Sequence, residues 1–559
     1  MPTERPWSPS VLPTEMVWAS VVERLDKDPA EELNTAWECC ERYATDRSRL
    51  AITFRNPDGT SQRWTYFDLA HHSALVSDIL VKAGLKTGDR IAAVLSRQVE
   101  SWICALAAWR SGLVYVPLFC GFGADALAYR LETSRAKMVV VDHEWRPSVH
   151  EAQEILSSDL HVVTVAGPKG IGLRAGDHSF WAEMAEAQPT AAPVTTLMHD
   201  PATLLFTSGT TGQPKACVIP HSGFISLIPY VDHALGLRKG DLLFTTSDPG
   251  WAYGLYTTGI VPLARGIPLV SYSGPFDPVA WLKVLEAEQA TYITAAPTAF
   301  RKLVGAIRHH GVASSLRAAA GAGEPLDADT VTAWQELTGT PIRDGYGLTE
   351  VGMALANLAD PDSALVPGAM GSEVPGFEVE LVEADGVVLQ GEAEGLIAIR
   401  QPQFQLATDY ENVPEEWEAR WTGDLFVTED RARRDDKGNW WFVGRDDDII
   451  VTAGYNVGPT EVESILVEHP AVSEAAVVAS PDEERGSVVR AVIVTQPEVT
   501  PSGGLTKELQ DAVKSRLGRH AYPRLVEYVE SLPRTEVGKV RRAALRTAET
   551  VKHPNTPGE

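Results

Sequence analysis

The chain has 559 residues, 44% of them hydrophobic and 22% charged, with a formal net charge of −26 at neutral pH. That length exceeds one ordinary core, so a soluble globular protein of two or more domains is expected. The acidic balance opposes nucleic acid and an anionic membrane face, no window reaches the roughly eighteen uninterrupted apolar residues of a membrane span, and Met1-Pro2-Thr3-Glu4-Arg5-Pro6 lacks a signal-peptide layout. The cytoplasm is therefore the default compartment. Five scattered cysteines (Cys39, Cys40, Cys104, Cys120, Cys217) form no CxxC pair and no zinc spacing, which fits reduced thiols and argues against a structural metal.

In chain order, helical and strand patterns alternate from about residue 62 to 141. Thr65-Tyr66-Phe67-Asp68 reads as a capped helix start with an end near Gly84, followed by strands at 91–95, 114–117 and 137–142 and helices at 102–110 and 124–134. The rhythm returns with strands near 242–246, 269–272, 292–295 and 317–321. From 366 to 443 the sequence is Gly-rich and strand-dominated. A compact α+β pattern closes the chain: strand 449–452, helix 460–469, strands 475–480 and 488–495, helix 505–519, then a polar tail expected to be disordered. The predicted fold is thus α/β: a large N-terminal part of two α/β layers plus a β-rich subdomain, and a small α+β C-terminal domain.

Between the two α/β stretches, Leu204-Leu205-Phe206 runs into Thr207-Ser208-Gly209-Thr210-Thr211-Gly212-Gln213-Pro214-Lys215. Glycines let backbone N–H groups approach an anion, while hydroxyls and a lysine add donors and positive charge. The Gly-Lys-Ser/Thr of a Walker A loop is absent, and Ala216-Cys217-Val218-Ile219 reads as a strand, so a strand–loop–strand phosphate clamp is expected. From composition alone, a Ser/Thr/Gly hairpin turn is the competing reading.

This loop resembles the signature of the acyl-adenylate-forming superfamily, the acyl-CoA synthetases and their relatives. Further segments follow in that family's order: Gly323-Glu324-Pro325, Asp344-Gly345-Tyr346-Gly347-Leu348-Thr349-Glu350, Thr422-Gly423-Asp424, Gly444-Arg445-Asp446-Asp447-Asp448, and Pro533-Arg534-Thr535-Glu536-Val537-Gly538-Lys539. Singly, Thr-Gly-Asp is ordinarily a turn and the Asp run a solvated stretch. Their number and order favour the joint reading.

The resemblance implies a ligase that joins a carboxylic acid to ATP as an acyl-adenylate and then transfers the acyl group to CoA, with ATP, Mg²⁺ and CoA required. It implies an N-terminal adenylation domain over 1–444, a hinge at 445–448 turning about Asp447, a mobile C-terminal domain over 449–551 and a tail over 552–559. Thr207, Ser208, Gly209, Thr210, Thr211, Gly212 and Lys215 would hold the β- and γ-phosphates. Glu350 would reach Mg²⁺ and Thr349 the α-phosphate. Gly323, Glu324 and Pro325 would line the adenine site with Tyr346 stacking on the base, Asp344 and Gly345 would belong to the same nucleotide-binding set, and Asp424 and Arg445 would serve the ribose. Lys539 would be the catalytic cation of adenylation, and Gly454 and Tyr455 would face the pantetheine tunnel. The sequence departs from common family residues at Val537, Val451 and Asn456.

For the acyl pocket the resemblance implicates Trp251, Tyr253, Gly254 and Gly347. Acetate-specific relatives carry a tryptophan where this chain has Gly347, so a short-branched, medium-chain or aromatic acid larger than acetate is expected, most as in medium-chain synthetases. Two alternatives stay open: an adenylating enzyme with another acceptor such as a carrier protein, and a non-catalytic nucleotide-binding relative. Expected partners are small molecules, with a homo-oligomer left open.

Overall fold

The computed structural model describes residues 13–157, 159–190, 192–207, 213–360, 365–452, 455–482, 486–517, 519, 521–534 and 540–547. By internal contacts the chain divides into two compact units, one of Met1–Glu380, Ala398–Val427 and Lys437–Trp440 and a second of Leu381–Ile397, Thr428–Asp436 and Trp441–Glu559.

The first unit contains two large mixed sheets. In one, the strands run in the order Asp409–Tyr410, Lys215–Pro220, Pro201–Thr207, Val114–Leu118, Arg90–Val94, Ala136–Asp142, His161–Val165, His178–Ser179. In the other the order is Ser372–Glu373, Gly352–Ala356, Ile342–Leu348, Ala318–Ala322, Tyr292–Ala295, Leu243–Thr245, Leu269–Tyr272, Leu50–Arg55, Ser61–Thr65. Their central strands are parallel, as expected where helices connect successive strands and cover the faces. The uninterrupted apolar runs Met138-Val139-Val140-Val141 and Ala318-Ala319-Ala320 are buried.

Local chemistry sets the helix boundaries. Thr65 and Asp68 form a reciprocal capping box at the start of Tyr66–Lys82, and Asp277 and Asp327 accept backbone N–H groups at the starts of Pro278–Glu288 and Ala328–Thr338. Helix Val99–Arg110 is buried on every side, so its apolar residues are spread around the helix instead of forming one stripe. It starts three residues before the expected 102, because Val99 is buried and carries no polar signal of a start. Helix Arg146–Ile155 and strand His161–Val165, absent from the expectation, extend the first sheet.

A six-stranded antiparallel-rich sheet is built from Val379–Val382, Val388–Leu389, Ala393–Arg400, Trp421–Thr422, Leu425–Arg434 and Trp440–Arg445. The C-terminal unit packs helices Pro459–Val467 and Gly503–Leu517 against the sheet Val472–Asp482, Gly486–Thr495, Leu525–Tyr528 around Val462, Val477, Ile493 and Leu509. Among the described residues no helix is long and apolar enough to cross a membrane.

Candidate active site

Strands Pro201–Thr207 and Lys215–Pro220 pair antiparallel, with Thr207 opposite Lys215. The two residues bracket the hydroxyl and glycine loop; Ser208, Gly209, Thr210, Thr211 and Gly212 lie outside the described residues. Cys217 is buried on the second strand, where desolvation pushes its thiol well above its usual value, so it is a packed strand residue and no nucleophile. The Lys215 ammonium stands 2.5 Å from the Glu416 carboxylate and 5.1 Å from the centre of the Tyr410 ring.

Glu350 is buried where the turn after strand Ile342–Leu348 leads into strand Gly352–Ala356. Its Oε1 accepts the Tyr410 hydroxyl at 2.8 Å, and its backbone carbonyl accepts the Ala407 N–H at 3.1 Å and the Gln405 Nε2 at 3.2 Å. Burial, and then the Glu350 charge, raise the Tyr410 hydroxyl well above its ordinary value, which keeps it a donor. Tyr410 therefore touches two residues the sequence singled out, Lys215 from one sheet and Glu350 from the other. Neither Tyr410 nor Glu416 was identifiable from sequence: Tyr410 lies 60 residues from Glu350, and a lone tyrosine before an acidic helix carries no motif. Thr349 is half-buried in the same turn as Glu350.

The Gly323-Glu324-Pro325 turn follows a strand that pairs in parallel with the one carrying Asp344, in register Gly321 to Asp344 and Ala322 to Gly345. Both segments thus leave the sheet at the carboxyl ends of adjacent parallel strands, the usual ligand-binding edge of such a sheet. Gly323 has φ +89°, a left-handed conformation that favours glycine, and a Cβ there would meet nothing within 4 Å. The Glu324 carboxylate accepts the Thr298 N–H at 3.2 Å and its hydroxyl at 2.5 Å, which satisfies the start of helix Pro297–His310 and fixes the turn. Asp344 accepts the Gly345 N–H at 2.9 Å and exchanges backbone and amide hydrogen bonds with Asn357. Burial raises its carboxyl well above the usual carboxylate range. Tyr346 is half-buried opposite Leu355.

Asp424 sits on the tight Gly423-Asp424 hairpin, where Gly423 has φ +63°. Its exposed carboxylate accepts Arg400 Nη1 at 2.5 Å, and that hydrogen bond holds it below the usual range. An ionised, acceptor-only group results.

Among the expected acyl-pocket residues, the Trp251 ring packs 5.8 Å from that of Phe119. Tyr253 opens a π-helical segment, Tyr253–Ile260, of a kind common at functional sites. Gly254 and Gly347 are positions of close approach: a Cβ would stand 2.1 Å from the Asp248 carbonyl oxygen in one case and 2.2 Å from that of Gly352 in the other. A side chain at 347 therefore meets the backbone of the neighbouring strand, where the pairing shifts register between Tyr346 and Gly347.

In the C-terminal unit, Arg445 pairs with Glu429, and Asp446–Asp448 form a single 3₁₀ turn. Asp447 has its backbone in that turn. Asp448 is buried against Arg546 at 2.6 Å and Arg542 at 3.6 Å. Tyr455 and Asn456 lie in the short strand Tyr455–Val457, paired with Ile450–Thr452, which carries Val451. Gly454, Val537, Lys539 and the tail fall outside the described residues.

A family model described as "AMP-binding enzyme" matches residues 39–410, and its C-terminal domain matches residues 461–539. This chain belongs to the AMP-binding enzyme family. Among AMP-binding relatives, an uncharacterized acyl-CoA ligase, YtcI, of Bacillus subtilis (strain 168) is 33% identical, covering 91% of this chain and 95% of its own. The mitochondrial acyl-coenzyme A synthetase ACSM4 of Mus musculus is 34% identical over 97% of this chain and 94% of its own. Solved structures with the same fold include a Brucella canis acyl-CoA synthetase (TM-score 0.74, 35% identity, 95% of this chain and 96% of that one). A benzoate CoA ligase from Burkholderia xenovorans LB400 superposes with TM-score 0.81 at 28% identity, covering 92% of this chain and 98% of that one.

Proposed function

We propose that this chain is an AMP-forming acid–thiol ligase, converting a carboxylic acid and ATP to an acyl-adenylate and pyrophosphate, and then, with CoA, to an acyl-CoA and AMP. The observation that supports the reading is the cluster of Lys215, Tyr410 and Glu350, which brings together a cation from the segment the resemblance assigns to the phosphates and a buried carboxylate it assigns to Mg²⁺.

Bringing a carboxylate against a triphosphate means joining two anions, so the site must neutralise charge and align the attacking oxygen with the α-phosphorus. Lys215 and the donors of loop 208–212 would bind the β- and γ-phosphates, and Thr349 would donate to the α-phosphate. Mg²⁺ fits the donor set. Among the described residues there is no group of three or more ligands able to hold an ion alone, while Tyr410 occupies only Oε1 of Glu350; a hard cation so held would complete its shell with phosphate oxygens and water. When bound, it would neutralise phosphate charge. Gly323, Pro325, Gly345 and Tyr346 would border the adenine, and Asp424 and Arg445 would serve the ribose. Lys539 would approach for adenylation, and Gly454 and Tyr455 would border the thiol path after the C-terminal domain turns about Asp447. The acid would be larger than acetate, near Trp251 and Phe119.

The test is a panel of short-branched, medium-chain and aromatic acids assayed for AMP release with and without CoA. CoA-dependent AMP release is the expected result. Pyrophosphate release without thioester would favour a carrier-protein acceptor, and binding of ATP without turnover of any acid would make the protein a non-catalytic relative.

A further inference from the structure

The chain from Gln405 to Glu411 bonds at once to the turn that carries Glu350 and to the strand that begins at Lys215. Ala407 and Gln405 bond the carbonyl of Glu350, while Thr408 N–H and Glu411 N–H bond the carbonyls of Val218 and Ala216 at 2.9 and 2.8 Å. Tyr410 pairs with Cys217, two residues along the strand from Lys215. Its ring also packs edge to face with Trp417 at 5.2 Å. At the centre of this brace, one side chain does two jobs: the hydroxyl takes one oxygen of Glu350, and the ring lies under the ammonium of Lys215.

We infer that Tyr410 is a positioning residue for adenylation, orienting the Glu350 carboxylate through its hydroxyl and the Lys215 ammonium through its ring, so that the charges meeting the triphosphate are set before ATP binds. This rests on the ligase reading of the same site. A buried carboxylate with one oxygen tied has a single orientation to offer, whereas an untied one can rotate about its last torsion. A lysine stem is flexible, and the ring face narrows the orientations of its charge without occupying its N–H donors, which stay available to a phosphate. Preorganised charge costs no rearrangement at the moment of reaction, so its loss falls on the rate of the step that uses it.

Two variants separate the two jobs. Tyr410→Phe keeps the ring and removes the hydroxyl; Tyr410→Leu removes both. For Tyr410→Phe, acid-dependent pyrophosphate exchange is expected to lose about tenfold or more in kcat, with metal-free ATP binding by calorimetry within twofold of the unmodified protein. Tyr410→Leu should also bind metal-free ATP several-fold more weakly, because only it disturbs Lys215. In both, CoA attack on a synthetic acyl-adenylate should keep its rate. Pyrophosphate exchange at the unmodified rate in Tyr410→Phe would overturn the inference, as would equal losses in both half-reactions accompanied by a lowered melting temperature, which is the mark of a packing role alone. Failure of the unmodified protein to exchange pyrophosphate with any acid would overturn the ligase reading instead. The metal-free ATP titrations would then still judge the tyrosine: equal affinities for all three proteins would refute its hold on Lys215.

Discussion

The ammonium of Lys215 lies 2.5 Å from the carboxylate of Glu416, on the short helix Pro414–Glu418. The cation proposed for the phosphates is thus paired with a carboxylate, and binding a phosphate would exchange one anion for another. The Glu416 side chain is 48% exposed, so the pair contributes at most about 1 kcal/mol.

Removing this competitor should tighten ATP binding. Glu416→Gln is expected to lower the dissociation constant of ATP by up to about fivefold at low ionic strength, a gain that fades as salt screens the exposed pair. Calorimetric titrations at two salt concentrations check it. An affinity unchanged at low salt would mean that Glu416 does not compete with the phosphates.

Lys539→Ala should abolish acyl-adenylate formation while CoA still attacks a preformed acyl-adenylate, because positive charge is needed when the two anions meet and not afterwards. Loss of one preorganised donor typically costs on the order of 10²- to 10³-fold. Single-turnover assays of each half-reaction check the split, and equal losses in both would remove the assignment.

Much of the fold was legible because its signals are local. The Thr65 and Asp68 capping pair, helix Ala124–Ser134 and strands Leu269–Tyr272 and Tyr292–Ala295 carry their own boundaries in sequence, and the structure keeps them. The two strands read on either side of the loop, at 204–206 and 216–219, are present for the same reason. What sequence could not show is which residues meet across the sheets. Tyr410 holds Glu350 and Lys215, Arg400 holds Asp424, and Glu324 is committed to Thr298; each pairing depends on tertiary register and not on spacing. The obstacle at Gly347 was likewise invisible to sequence, since it is the backbone of Gly352 and Met353.

That backbone contact changes what a substitution at Gly347 should do. With a Cβ 2.2 Å from the Gly352 oxygen and 2.7 Å from the Met353 Cα, even alanine must displace the turn that carries Thr349 and Glu350. Overpacking of this kind costs roughly 1–3 kcal/mol. Gly347→Ala should lower the melting temperature, and Gly347→Trp should depress adenylation for every acid tested. A chain-length profile that moved toward acetate at an unchanged melting temperature would place the residue 347 side chain in the acyl pocket instead.

A pH dependence of stability should follow from His221, just after the strand Lys215–Pro220. His221 is fully buried, and its Nδ1 accepts the backbone N–H of Thr35 at 3.1 Å and lies 2.9 Å from the Thr35 hydroxyl. It thereby satisfies an otherwise open N–H at the start of helix Thr35–Cys39. Burial pushes the imidazole down to about 4 from its ordinary 6.5. The sign follows from proton counting: between those values the unfolded chain binds a proton that the folded protein refuses, so stability is intact above about pH 6.5 and is lost as pH falls toward 4. At pH 5 the loss from this one group is about 2 kcal/mol. His221→Asn keeps an acceptor near the Nδ1 position and cannot titrate. Denaturant unfolding at pH 7 and pH 5 should therefore show the unmodified protein losing about 2 kcal/mol more than the variant. Equal losses in the two proteins would mean that His221 takes up its proton without disturbing the helix it caps.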